Sequence, residues 1–217
     1  AQEEPEQLLI SPVSALSALA MTANGAQGET LGQMETAFGV PLALLTAYLE
    51  QWQGTLLDET ALQSANAIWI RQEFADQIQP QFLKDAQDGF DAQLFKAPFD
   101  DGAAAQINQW VSEKTNGNVP QILDEIPQDA VLYLINALSF DAKWRQPYAA
   151  HQIREGTFTN QDGTERTVTM LYGQQPYFLK CDFATGFLKP YQDDRYAFAT
   201  LLPDESLSVW EMLKRLD

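Results

Sequence analysis

An α+β fold is expected, and three features of the sequence point to it. An apolar helix lies near the start, helical periodicity dominates as far as Gly117, and strand patterns dominate from Ala130 onward. At 217 residues one large domain is the natural expectation, with two small ones as the alternative. Apolar and charged shares of 45% and 20% are ordinary for a globular chain.

The first element is "LLISPVSALSALAMTAN", Leu8 to Asn24. Ser11 is placed to cap it and Pro12 fits the first helical position, where a missing N–H costs nothing. No charge occurs between Gln7 and Gly28, and only Ser14, Ser17 and Thr22 are polar from Val13 to Ala23. A helix apolar almost all round belongs inside a domain. It is too short and too interrupted to cross a bilayer.

A turn at Asn24-Gly25 leads into a second helix from Gly28 to Gly39. Pro41 opens a third, with Leu45, Leu49, Trp52 and Leu56 on one stripe. Ala61 to Ile70 reads as a strand, Glu73 to Asp85 as a short helix and Phe90 to Phe99 as a strand. Asp100 and Asp101 lead a long helix with Ala104, Ile107 and Val111 in a stripe and a stop at Gly117. Ala130 to Trp144, "AVLYLINALSFDAKW", is the strongest strand signal, a run suited to a central strand covered on both faces. Glu155 to Leu171 is a hairpin turning at Asp162-Gly163. Tyr177 to Asp182 and Tyr196 to Leu202 are further strands, and Ser206 to Leu216 is a last short helix. The sheets implied look unfinished at Asp217, so the sequence is expected to be one portion of a larger fold.

Thirteen basic against thirty acidic residues give a net charge of −17, which disfavours nucleic acids and anionic membranes as partners. One cysteine, Cys181, excludes an internal disulfide. A Ser-His or Cys-His catalyst would have to use His151, the only histidine, in the polar stretch "YAAHQIRE"; a solvated surface histidine is the better reading. Cys181 and His151 are too few for the usual zinc site, and no metal or cofactor is expected. Gly25 and Gly28 lie between helices and make no phosphate loop. A carboxylate pair doing hydrolase chemistry stays open, though no spacing singles one out.

Several motifs together resemble the serpin family. "LLISPVSALSALAMTANGAQGET" is similar to its Ser-Pro-x-Ser helix B running into Gly-Ala-x-Gly-x-Thr. "SANAIWI" and "LYLINALSFDAKWRQPY" resemble the second and third strands of sheet A, the latter with Asn136 and Trp144. "INQWVSEKTNGNVPQIL" resembles helix F and its exit, including Thr115 and Gly117. "GTFTNQDGTERTVTML" and "LKPYQDDRYAFATLLPDE" resemble strands flanking sheets B and C. Gln7 departs from the family's usual Asn. Richness in Ala, Gln and Trp and a single cysteine suit a prokaryotic member.

The resemblance implies helices packed around a large mixed β-sheet A plus sheets B and C, incomplete in this chain. Residues 1–217 would be the N-terminal portion of a single serpin domain, lacking most of the first helix and the C-terminal part with the reactive-centre loop. It implies a suicide inhibitor, not an enzyme, whose partners are a serine or cysteine protease and the polypeptide that completes the fold. Such targets suggest a secreted or cell-surface protein. A non-inhibitory carrier, chaperone or structural serpin is the alternative. Ser11, Ser14 and Asn136 resemble the "shutter" that gates opening of sheet A, the serines meeting the amide under the sheet's centre. Trp144 resembles the tryptophan of the "breach", where insertion begins. The plainer readings are a satisfied polar core cluster and a large core aromatic.

Overall fold

A computed structural model of the chain describes residues 9–55, 61–160 and 162–216. Gln7 and Leu56 lie outside them. The chain divides into two compact units, residues 1–141 and 142–217.

The first unit is one sheet between two layers of helices. The helices are α1 (Pro12–Ala23), α2 (Gly28–Phe38), α3 (Leu42–Gly54), α4 (Pro80–Phe90) and α5 (Asp101–Lys114). The strands β1 (Leu62–Arg71), β2 (Ala92–Ala97) and β3 (Leu132–Phe140) are ordered β2-β1-β3. β1 pairs with β2 in parallel and with β3 antiparallel.

Alternation along the strands builds two cores. Ala67 and Trp69 of β1, with Ile135 and Ala137 of β3, meet Ala103, Ile107, Trp110 and Val111 of α5. Ile68 and Ile70 point the other way, onto Ala20 and Met21 of α1, Leu45 and Leu49 of α3, and Ala86 and Phe90 of α4. The long apolar run is thus a strand covered on both faces, as expected.

Local chemistry sets the boundaries. Ser11 caps α1 with Pro12 in the first turn. Gly39 ends α2 at φ 72°, the left-handed conformation glycine adopts without strain. Asp100 caps α5, its side chain accepting the Ala103 N–H.

Three expectations need correction. The helix read as Glu73 to Asp85 is a 3-10 segment, Gln72–Gln77, followed by α4, which restarts at Pro80 and runs on through Phe90. Phe90 therefore closes a helix, and the next strand starts only at Ala92. The strand read as Ala130 to Trp144 ends at Phe140. Trp144 joins a separate bridge to Tyr191. Among the described residues α1 buries Ser17, Ala20, Met21 and Ala23.

The second unit holds the hairpin β4 (Ile153–Thr159)–β5 (Glu165–Leu171) and the antiparallel sheet β6 (Tyr177–Lys180)–β7 (Ala184–Pro190)–β8 (Ala197–Pro203). A short helix, α6 (Val209–Leu213), follows and is capped by Ser208. β7 is an additional strand, and its glycine, lysine and proline conceal it in the sequence. Gly186 is required there, because a Cβ would fall 1.9 Å from the Thr200 carbonyl oxygen on β8.

Candidate functional site

The site begins with an edge. β3 is hydrogen-bonded to β1 along one side, and among the described residues its other side has no partner strand. An apolar strand covered on both faces but open along one edge is a template for a further strand.

Under that strand runs a line of amides. Asn66 of β1 and Asn136 of β3 are directly opposed in the register, a spacing at which antiparallel side chains touch. Asn136 Nδ2 donates to Asn66 Oδ1 at 2.9 Å and to Ser64 Oγ at 3.1 Å. Asn66 Nδ2 in turn donates to the Phe90 carbonyl at 2.7 Å, which also accepts from Gln53 Nε2 at 3.3 Å. Asn66 is almost wholly buried, and Asn136 Oδ1 is buried without a hydrogen-bond partner. The end of α4 is thereby tied through two side-chain amides to the open strand.

Ser11 and Ser14 stand elsewhere in this scheme. Ser11 Oγ donates to Ser14 Oγ at 2.9 Å and accepts the Ser14 N–H at 3.3 Å, so both serve the start of α1. α1 packs beneath β3, yet no hydrogen bond joins either serine to Asn136 among the described residues. The two serines serve the start of α1, while Ser64 and Asn66 take the donors of the Asn136 amide and its Oδ1 stays unpartnered. Sequence reasoning missed Asn66 and Ser64. An asparagine inside "SANAIWI" is the same signal as the one inside "LYLINALSF", a polar group in an apolar strand.

Across the opposite face lies α5 with the segment after it. Asn108 Oδ1 accepts from the Ile122 and Leu123 N–H groups at 2.8 and 3.0 Å, and its Nδ2 donates to the Leu123 carbonyl at 2.7 Å. Arg71 donates to the carbonyls of Ala130 and Pro127 at 2.6 and 3.3 Å. Trp110 Nε1 reaches Gln93 Oε1 on β2 at 2.9 Å. Ties to the rest of the sheet are longer: Ser139 Oγ to the Thr115 carbonyl at 3.5 Å and Asn116 Nδ2 to Gln63 Oε1 at 3.3 Å. Helix and following segment are bound firmly to each other, while the polar ties near the open strand are few and weak.

In the second unit Trp144 stacks on Tyr191, with centroids 4.4 Å apart and planes 10° from parallel, and meets Phe198 edge-on at 5.9 Å. It is half-buried. His151 and Cys181 are both exposed. Among the described residues no group of three or more His, Cys, Asp or Glu could hold a metal ion. No described helix is long and apolar enough to cross a membrane.

A two-sided helical sandwich on a mixed sheet with an open strand, joined in one chain to antiparallel sheets, defines a serpin-type fold. The Serpin (serine protease inhibitor) family matches residues 1–217, and the chain belongs to that family. The solved latent state of the thermophilic serpin tengpin superposes with a TM-score of 0.89 and 39% identity, covering 100% of this chain and 60% of that one. A serpin-like protein of Methanosarcina acetivorans is 27% identical over 216 residues, 94% of this chain and 50% of its own length. The leukocyte elastase inhibitor of Bos taurus is 28% identical over 221 residues, 97% of this chain and 58% of its own. The chain thus spans about half to 60% of the length of these relatives. Its fold is the serpin fold, with helices and the family's sheets A, B and C. Serpins are protease inhibitors, not enzymes, and relatives are named as inhibitors.

Proposed function

We propose that this chain is the N-terminal portion of a single serpin domain that inhibits a serine or cysteine protease by suicide. A reactive-centre loop in the remaining polypeptide would be cleaved and would insert beside β3. The single observation that carries this reading is the match of the Serpin family over residues 1–217, with β3 an apolar strand of the sheet covered on both faces. A strand added there gains ladder hydrogen bonds and buried side chains at once, free energy able to drag and deform an acylated protease. The names of two relatives, the bovine leukocyte elastase inhibitor and a serine protease inhibitor of Cyanea capillata, support it. Protease targets of this kind are usually met outside cells, which favours a secreted or cell-surface protein.

In this reading Asn136, with Ser11 and Ser14 under the same strand, is the gate, and α5 with its trailing segment must lift. Trp144 marks where insertion begins. The test is to incubate the full-length protein with a panel of serine proteases. A complex that survives denaturing electrophoresis, with stoichiometric loss of protease activity, is expected. Cleavage without a complex and without loss of activity would overturn inhibition and leave the carrier, chaperone or structural alternative. Insertion of a synthetic loop peptide should shift tryptophan emission, and Trp144→Phe should remove that shift. An unchanged shift would make Trp144 a core aromatic only.

A further inference from the structure

β7 carries a lysine where an antiparallel strand in this setting has no need of one. Lys189 is 5% exposed. Its Nζ donates to the Gln146 carbonyl at 3.0 Å and lies 4.2 Å from the ring centre of Tyr148 and 5.2 Å from that of Trp144. Among the described residues no carboxylate pairs with it: the ion pairs are Lys84–Asp88 and Arg145–Asp194. Aromatic faces and one carbonyl satisfy the donors and do not cancel the charge. Burial pushes this ammonium below the ordinary lysine range. An apolar residue of similar volume would avoid the desolvation cost, so retention of the cation calls for a use.

The geometry supplies one. Lys189 opens on a cleft of about 140 Å³ lined also by Arg145, Gln146, Gln175 and Tyr177. Ammonium, guanidinium, carboxamide and phenol groups can all donate hydrogen bonds, and no acidic side chain lines the space. Arg145 Nη1 binds Asp194 Oδ1 at 2.9 Å, using one of five N–H donors. The volume is well below the several hundred Å³ of a drug-sized site. We infer that Lys189 and Arg145 form a binding site for a small carboxylate, either a free organic acid or the Asp or Glu side chain of a peptide. This inference does not rest on protease inhibition.

The experiment follows thermal unfolding of the full-length protein while sodium acetate replaces sodium chloride at fixed ionic strength. A saturable rise in Tm of about 2–4 °C is expected. Lys189→Met, which keeps the volume, should abolish the rise, and Arg145→Gln should weaken it. In case Lys189→Met does not fold, the ¹⁵Nζ resonance of Lys189 in the unaltered protein should move with acetate. Equal acetate responses in the unaltered protein and Lys189→Met, or no response in Tm and resonance alike, overturns the site. Short peptides with one Glu, or Gln in its place, identify the source. Binding of the Glu peptide at least about tenfold tighter than acetate assigns a peptide carboxylate, and parity assigns a free acid.

Discussion

In the unit of residues 1–141 two clusters of side chains fill the two faces of one sheet, from Ile107 on one side to Phe90 on the other. Among the described residues of 142–217 only Ala184, Lys189 and Met212 are buried, although the ladders are just as regular. There Phe158, Leu171, Phe178 and Leu202 face solvent. Charge divides as unevenly. Residues 1–141 hold 20 of the 30 acidic and 4 of the 13 basic residues, and residues 142–217 hold the other 10 and 9. Backbone pairing therefore gives both units their shape, whereas burial, the larger stabilising term, is concentrated in the first.

The largest effect that tests this contrast is a matched pair of truncations. Phe90 is 1% exposed and Phe178 is 71% exposed. Phe90→Ala is expected to cost about 3–5 kcal/mol of unfolding free energy, because the cavity adds to the lost transfer term. Phe178→Ala should stay within about 0.5 kcal/mol. Denaturant midpoints measure both, and comparable losses would show that the second unit depends on contacts its surface does not reveal.

A smaller effect compares two asparagines. Asn136→Ala strips the donor from Asn66 Oδ1, a buried acceptor, and from Ser64. A cost of about 1–3 kcal/mol follows. Asn160, whose Nδ2 meets Thr164 Oγ1 at 2.8 Å in the open, should cost about 0.5 kcal/mol or less as Asn160→Ala. If Asn136 also gates the sheet, its removal speeds loop insertion or polymerisation in the full-length protein. Unchanged rates with lowered stability would leave it a structural amide. A double-mutant cycle with Asn66→Ala measures how far the two amides act as one.

These residues show what the sequence made legible. The apolar run around Asn136 announced a strand covered on both faces, and Ser11-Pro12 and Asp100 announced helix starts, because capping and periodicity are local. The partners of Asn136 were not legible, since they depend on the register that sets Asn66 opposite it across 70 residues. The extension of α4 to Phe90 escaped notice because tertiary packing of Ala86 and Phe90 outweighs the weak helical preference of "DGF". β7 escaped it because Gly186, Lys189 and Pro190 are poor strand residues, and the needs of the first two show only in their folded neighbours. Gly186 lets Thr200 approach, and Lys189 faces a cleft.

The smallest effect sets two lysines against each other. Lys84, exposed on α4, is raised above 10.5 by its hydrogen bond to and charge attraction from Asp88, whereas Lys189 is lowered by burial. For Lys189 the unfolded chain binds the proton more tightly than the native one. Its burial penalty is therefore present at neutral pH and is relieved as pH climbs through the native value toward 10.5. Burial pushes Tyr191 upward, so its ionisation does not mask the trend. The stability of the unaltered protein relative to Lys189→Met should accordingly rise as pH climbs toward 10.5. The same comparison for Lys84→Met should stay flat there, since Lys84 loses its contribution only above 10.5. Parallel pH profiles for the two variants would mean that Lys189 is as well solvated as Lys84.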